Sequence, residues 1–386
     1  MDIARIEGVV EVTRDAKTVI AALLQESWVA STCGINGGVR SDLTAIYNHQ
    51  SCEPAAHHER IGSYLSTHQV AEHERVCREN GLDPATTAGM GTAASMRCLG
   101  IGQASFRELT VLAVATAGVA GNAGRAGDPA GHFEWDGRYE ALSSKPRPEV
   151  GTINTMLFFS HELKPGTLLR SLMTATEAKT TVLEELVIGS RYSSGKATGT
   201  GTDQFSAACP IGQGPQPLST VGKHSKLGQL VAETVREAIS GSLLLQNGLA
   251  PITRRSVHEQ LARFGYQREA LLGRARELLE PADAALFAAN SVGVDADPLT
   301  VSFAAGYAAA LDQLASGVLP VSCSAEIQDH YARAMAVAAS GGAARSEEFD
   351  NMVATSAMTT VYNALVSGFA YKWRSLHAIA QQEAEQ

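Results

Sequence analysis

What the 386-residue chain lacks narrows the field first. It has no lysine- or arginine-rich run and a formal net charge of −9, which argues against nucleic acid or an anionic membrane surface as a partner. No uninterrupted apolar stretch reaches the ~18 residues that a membrane-crossing helix needs, so no membrane insertion is expected. The six cysteines, Cys33, Cys52, Cys77, Cys98, Cys209 and Cys323, form no CxxC pair. Scattered thiols in a chain of this length are expected to stay reduced, which points to the cytoplasm. The opening MDIARIEGVVEVTRD mixes charges of both signs and lacks a long apolar core, so no signal peptide is expected. Phosphate-loop motifs fail on spacing. Ala197 stands after Lys196 where Ser or Thr would hold magnesium, and GTGTDQ puts Gln204 at the third glycine of GxGxxG.

What is present is an ordinary soluble composition, 45% hydrophobic and 18% charged, in a chain long enough for two domains. Residues 1–250 read as α+β, a mixed sheet with packed helices. VVEV near Val9, SWVAST near Trp28, VLAVATAG from Val111 and TINTMLFFS from Thr152 have the β-branched and aromatic content of strands. PGTLLRSLMTATEAKTTVLEEL reads as a helix from Pro165 towards Gly189, with Leu169, Leu172, Met173, Thr176, Leu183 and Val187 as its apolar stripe. A second helix is expected over about Lys226–Leu245, with Ser225 as N-cap and Asn247-Gly248 as its stop. After the NGLAP turn near residue 250 the strand-like runs fade. Residues 251–386 read as an all-helical domain or extension, with Met358, Val361, Tyr362, Leu365 and Phe369 forming one core stripe.

Four polar, glycine-rich clusters are candidate site loops: STCGINGG, TAGVAGNAGRAGDP, SRYSSGKATGTGTDQ and GKHSKLG. The second has glycine at positions 118, 121, 124 and 127, too short and too poor in proline for a collagen helix. In it Arg125 and Asp128 either contact a ligand or pair with each other. Between Cys52 and Cys77, the histidines 57, 58, 68 and 73 invite a metal reading, His73 and Cys77 sharing one helix face at i, i+4. No paired CxxC or HxxxH supports it, and a solvent-facing polar helix is the expected outcome. No metal site is assigned.

Several clusters together carry a resemblance. The ordered series TAG…NA..AGDP, GTIN, TATEAKT..L.EL, SRYS.G.ATGTGTD and GKHSKLG, preceded by NGG at 36–38, NHQ at 48–50 and TAAS at 92–95, resembles the adenosylcobinamide amidohydrolase family over about residues 25–245. The resemblance implies hydrolysis of the amide joining an aminopropanol arm to the corrin ring, giving adenosylcobyric acid. The partner is then a small-molecule corrinoid that brings its own cobalt, and no separate cofactor is implied. Amide hydrolysis needs a base or nucleophile, donors to the oxyanion and an acid for the leaving amine. By residue type, Asp203 is the first candidate for base, with Glu177 its competitor, and His224 or Lys179 the acid. Direct attack by water ranks ahead of a Thr200 or Thr202 nucleophile. Asn36, Asn122, Arg125, Asp128, Asn154, Arg191, Tyr192, Gly199 and Gly201 are candidates for substrate and oxyanion contacts. A same-fold enzyme with another substrate, or a non-catalytic corrinoid binder, are the alternatives, and the C-terminal helices are a candidate homo-oligomer interface.

Overall fold

A computed structural model describes residues 1–53, 57, 65, 67–142, 151–350 and 352–384; His58, one of the metal-ligand candidates, lies outside them. The chain divides into two compact units, Met1–Ala250 and Pro251–Gln386.

The first unit is built on two sheets. One contains β1 (Asp2–Ile6), β2 (Val10–Arg14), β3 (Thr18–Leu23), β6 (Ala45–Gln50) and β7 (Thr87–Thr92), in the order β1-β2-β3-β6-β7. The other runs β5 (Gly38–Arg40), β4 (Ser27–Ser31), β15 (Gln204–Pro210), β13 (Ile153–Phe159), β9 (Leu109–Ala117), β8 (Gly100–Phe106). Pairing is antiparallel except at β6–β7 and β13–β15. Their facing sides share a core of Val12, Val29, Ile46, Met90, Leu112, Val114, Met156 and Phe158. Side chains alternate across a strand, so the intervening residues of β13, Ile153, Leu157 and Phe159, face the opposite way. They pack there with Leu168, Val182, Val231 and Ile239 of the helices α2 (Pro165–Glu185) and α3 (Lys226–Asn247). The short helix α1 (Gln69–Glu79) covers the outer face of the five-stranded sheet through Val76 and Cys77 against Tyr47. The layers are therefore helix, sheet, sheet, helix. Between β9 and β13 lie three short strands, β10 (Ala123–Gly124), β11 (His132–Trp135) and β12 (Arg138–Ala141), and β14 (Gly199–Thr200) precedes β15.

The α+β expectation holds, while three local expectations are corrected. On α2 the buried face is Leu168, Ser171, Thr174, Ala175, Ala178, Lys179, Val182 and Leu183. Leu169 and Met173 are exposed, because a helix wedged between a sheet and α3 presents small residues inward and leaves part of its apolar stripe outside. The helix also stops at Glu185, ahead of Gly189, with Val187 in the left-handed region at φ 52°. On α1, His73 and Cys77 are buried rather than solvent-facing: the Tyr47 hydroxyl lies 3.0 Å from His73 Nδ1, and His73 Nε2 lies 3.0 Å from the Pro84 carbonyl. The carbonyl can only accept, so Nε2 carries the proton and Nδ1 accepts from Tyr47. Among the described residues, no group of three or more His, Cys, Asp or Glu is close enough to hold a metal. Helix α3 keeps its expected start, Ser225 Oγ accepting from the Gly228 amide at 3.1 Å, and ends at Gly248, φ 65°.

The second unit contains α4 (Val257–Leu261), α5 (Arg268–Leu278), α6 (Pro281–Asp295), α7 (Pro298–Ala315), α8 (Ser324–Ala339) and α9 (Ala357–Ala384). Met358, Val361, Tyr362 and Leu365 enter its core beside Phe287, Tyr307 and Met335, with Phe369 packed at the edge. Among the described residues, no helix is long and apolar enough to cross a membrane.

Candidate active site

The entry ends of the parallel strands β13 and β15 hold an ion pair beneath a glycine-threonine loop. Lys179, two-thirds of the way along α2, reaches inward to the Asp203 carboxylate, and their side chains are only 7% and 10% exposed. Asp203 Oδ1 accepts from the Ile153 amide at 3.0 Å and the Thr200 hydroxyl at 2.5 Å. Oδ2 accepts from the Thr200 amide at 3.0 Å and from Lys179 Nζ. Four donors on two oxygens occupy the lone-pair positions of the carboxylate. A buried charge is tolerable only when paired and hydrogen-bonded in this way. Gly199 is required here by space: a Cβ would overlap Asp203 Oδ2 and come within 2.5 Å of Lys179 Nζ.

The wall beside this pair is the glycine-rich run. Ala123 and Gly124 of β10 pair antiparallel with Thr200 and Gly199 of β14. Asn122 Nδ2 donates to the Gly151 carbonyl at 3.1 Å, and the Tyr192 hydroxyl donates to Asn122 Oδ1 at 2.7 Å. The Thr202 hydroxyl lies 3.0 Å from the same Gly151 carbonyl and 2.9 Å from Thr152 Oγ1, and Thr152 Oγ1 donates to the Thr202 carbonyl at 2.7 Å. Further out, Asp128 Oδ2 accepts from the Arg125 amide at 2.7 Å and the Ser190 hydroxyl at 2.6 Å. Partial burial pushes this carboxyl up, but the hydrogen bonds from Ser190, Ser193 and the Arg125 backbone outweigh it and hold it below the ordinary carboxylate range. The Arg125 guanidinium donates to the Lys196 carbonyl at 3.2 Å. Arg125 thus ties to Asp128 through its backbone. Of the four glycines in the run, Gly127 takes a left-handed conformation, φ 97°, which closes the turn between Ala126 and Asp128.

The sequence-derived candidates separate into groups. Asp203, Lys179, Thr200, Thr202, Gly199, Gly201 and Asn122 belong to one loop cluster. Glu177 does not join it: its carboxylate pairs at 2.7 Å with Lys223, both side chains more than half exposed, beside the exposed His224. Two positions apart on a helix, Glu177 and Lys179 face about 200° from each other, so the base-competitor and the acid candidate at His224 form a separate surface group. Asn36 (φ 56°) is spent on tying its turn to the start of β7, donating to the Pro84 and Thr87 carbonyls and accepting from Arg40. Arg191 donates to the Ala120 carbonyl. Asn154 points into the layer between the sheets, donating to Asn48 Oδ1 at 2.9 Å and to the Gly91 carbonyl, while Asn48 donates to Thr116. Its Oδ1 is buried without a hydrogen-bond partner among the described residues.

Residue-type reasoning missed Thr152, the Ile153 amide and Thr198, whose hydroxyl accepts from the Ala126 amide at 2.9 Å. A backbone donor leaves no mark in a sequence; the hydroxyls follow directly from the GTIN and ATGTGTD strings, where two threonine-bearing segments flank the same glycine turns.

A family model described as adenosylcobinamide amidohydrolase (CbiZ) matches residues 3–251. An uncharacterised protein of Methanocaldococcus jannaschii is 33% identical over 186 residues, 47% of this chain and 72% of that protein. Among solved structures, a Pyrococcus horikoshii OT3 protein has a TM-score of 0.30 at 15% identity, covering 63% of this chain and 83% of its own. A Burkholderia sp. beta-aminopeptidase has a TM-score of 0.29 at 13% identity, covering 63% and 82%. These two likenesses are too slight to transfer a fold or an activity. The sequence match spans the whole two-sheet unit, including helix α2 with Lys179 and the loop that holds Asp203, and the chain belongs to the adenosylcobinamide amidohydrolase family, carbon–nitrogen hydrolases of linear amides that act in cobinamide salvage.

Proposed function

We propose that the Thr200–Asp203–Lys179 cluster cleaves the aminopropanol amide of an adenosylated corrinoid, with Thr200 as nucleophile. The observation that carries this reading is the full occupancy of the Asp203 carboxylate. Each oxygen already accepts two donors, so a water could use Asp203 as its base only by displacing one. The Thr200 hydroxyl, 2.5 Å from Oδ1, is the donor on the partly exposed side of the pair, and a hydroxyl bonded to a carboxylate is the arrangement that activates it.

As Thr200 Oγ closes on the amide carbon, its proton passes to Asp203. Lys179, in contact with the same carboxylate, gives a proton to the leaving aminopropanol nitrogen and recovers one from Asp203. Water then hydrolyses the Thr200 ester, releasing the corrinoid carboxylic acid and restoring the hydroxyl. The loop amides around Gly201 and the Asn122 side chain are the candidate donors to the oxyanion. Asp128, Arg125, Tyr192 and Arg191 shape the loop wall through their bonds to one another and to the backbone. Cytoplasmic action and assembly through the second unit belong to the same proposal, supported by six cysteines that form no disulfide among the described residues and by the exposed Val292, Leu299, Val318 and Val321.

The test is turnover of adenosylcobinamide, read by chromatography of adenosylcobyric acid and free aminopropanol. Thr200→Ala is expected to lower kcat at least about 100-fold with corrinoid binding intact by visible spectrum, and Thr200→Ser to retain most of it. A corrinoid ester on Thr200, trapped by acid quench and seen by mass spectrometry, is the expected intermediate. A Thr200→Ala enzyme within tenfold of the parent would assign the attack to water instead.

A further inference from the structure

Beside the threonine-glycine loop, one carboxamide is held at both of its ends. Asn122 Nδ2 lies 3.1 Å from the Gly151 carbonyl, and Asn122 Oδ1 lies 2.7 Å from the Tyr192 hydroxyl. A carbonyl can only accept, so Gly151 identifies the amide nitrogen. The atom facing Tyr192 is then an acceptor, and the phenol must donate to it. One N–H of Nδ2 is used on Gly151; the other has no partner among the described residues. The space on that side is open. Pairing of Ala123 with Thr200 brings Asn122 to the next residue, Gly201. A Cβ on Gly201 would meet only Asn122 Nδ2, at 3.9 Å. An oxygen therefore fits between the Asn122 amide and the Thr200–Gly201 turn.

Tyr192 is itself secured by the glycine-rich wall. The Arg191 amide donates to the Ala123 carbonyl at 2.9 Å, and the Arg191 guanidinium donates to the Ala120 carbonyl. The Tyr192 amide donates to Ser190 Oγ at 3.0 Å, and that hydroxyl in turn donates to Asp128. Its ring lies over Gly124, where a Cβ would touch it at 3.5 Å. The phenol is thus delivered to Asn122 by the protein's own bonds, before any substrate arrives. The acceptor at the other end is fixed as well: a Cβ on Gly151 would overlap the Gly118 carbonyl oxygen, so only glycine brings that backbone up to Asn122.

We propose that Tyr192 is the positioning residue of the oxyanion donor: it holds the Asn122 carboxamide with its second N–H on the side of the Thr200–Gly201 turn, where the oxyanion of the tetrahedral intermediate forms. A donor fixed in place before charge develops stabilises that charge without reorganising. Tyr192 touches no reacting atom in this role and acts through Asn122. Without the hydroxyl, Oδ1 loses its partner and the amide is held at one end only, around a side-chain torsion that is intrinsically broad. This inference rests on the amide hydrolysis proposed above and holds whether Thr200 or water attacks, since both routes pass through the same oxyanion.

The experiment compares the full-length parent, Tyr192→Phe, Asn122→Ala and the double variant, reading kcat and KM for adenosylcobinamide alongside thermal melts. Tyr192→Phe keeps the ring over Gly124 and removes only the hydroxyl, so its melting temperature is expected to stay parental. Its kcat is expected to fall about tenfold with KM within about twofold, the mark of an interaction made in the transition state. Asn122→Ala is expected to lower kcat about 100-fold. The double variant is expected to match Asn122→Ala alone, because Tyr192 has nothing left to position. Losses that multiply in the double variant place Tyr192 on the substrate directly and overturn the positioning role. A rise in KM with parental kcat overturns it too, by making Tyr192 a binding contact. A Tyr192→Phe protein that melts early, with kcat lost only in proportion to the unfolded fraction, makes the hydroxyl a stability bond and overturns the role as well. Parental kcat in Tyr192→Phe overturns the role alone, with the reaction intact. No turnover by the parent overturns the reaction, and the role with it.

Discussion

At the scale of single residues, the Lys179–Asp203 pair dominates the energetics of the site. Removing one partner of a buried, hydrogen-bonded ion pair typically costs about 3–5 kcal/mol, because the other charge is left behind. Lys179→Met and Asp203→Asn are each expected to destabilise by roughly that amount, and the double variant by clearly less than their sum. A urea-denaturation double-mutant cycle measures the coupling, and additive losses would contradict it. A second residue, His49, links stability to pH. Burial first, then the Arg75 guanidinium, lowers its pKa from the ordinary 6.5, with Glu72 opposing. Arg75 can only donate, so His49 Nε2 (3.4 Å from Arg75 Nη2) is the bare nitrogen, and Nδ1–H donates to the Thr18 hydroxyl at 2.9 Å. The folded state resists protonation more than the unfolded chain does. The contribution of His49 is therefore present above pH 6.5 and is lost as pH falls through the lowered folded value. His49→Gln is expected to flatten the fall in urea midpoint as pH drops below 6.5; an unaltered slope would count against this account.

At the scale of elements, loops and strand ends carry the chemistry while one helix, α2, supplies a single group, Lys179. Helix α2 brings Lys179 inward, and the β10–β14 ladder fixes the loop over it. Gly199 is where these elements come closest. Gly199→Ala is expected to cost about 1–3 kcal/mol by overpacking and to lower kcat more than tenfold by displacing Asp203, measured by thermal melts alongside turnover. Much at this scale could be read from the sequence: the runs at Trp28, Val111 and Thr152 are strands, and α3 starts where Ser225 caps it. Strands β3, β6, β7, β8 and β15 and helix α6 escaped notice. β6 and most of β15 are buried on both faces, so they lack the alternation that marks a half-exposed strand. The inward face of α2 was also misjudged, since Ala175, Ala178 and Ser171 are buried while Leu169 and Met173 are not; side-chain hydrophobicity does not reveal how closely a neighbouring sheet approaches.

At the scale of the whole molecule, two compact units each bury their own core. The first is the unit matched by the family. The second exposes Val292, Leu299, Val318 and Val321, which supports self-association. Light scattering of the full chain is expected to give a dimer or larger assembly, and Val321→Glu with Val318→Glu to shift it towards monomer; a monomeric parent would remove this reading.

The sequence by itself determined the family, through ordered strings of Asn, Thr, Gly, Lys and Asp, and the α+β and helical character of the two regions, because local propensity and motif order are properties of the chain. It also named Asp203, Lys179, Thr200 and Asn122 as candidates. Only the tertiary structure decided which of them meet. Lys179 and Asp203 are brought together by the crossover from β13 to β15, while Glu177, two residues from Lys179, is turned out to Lys223. Contact across such a crossover depends on helix rotation and strand register, and no spacing along the chain encodes either.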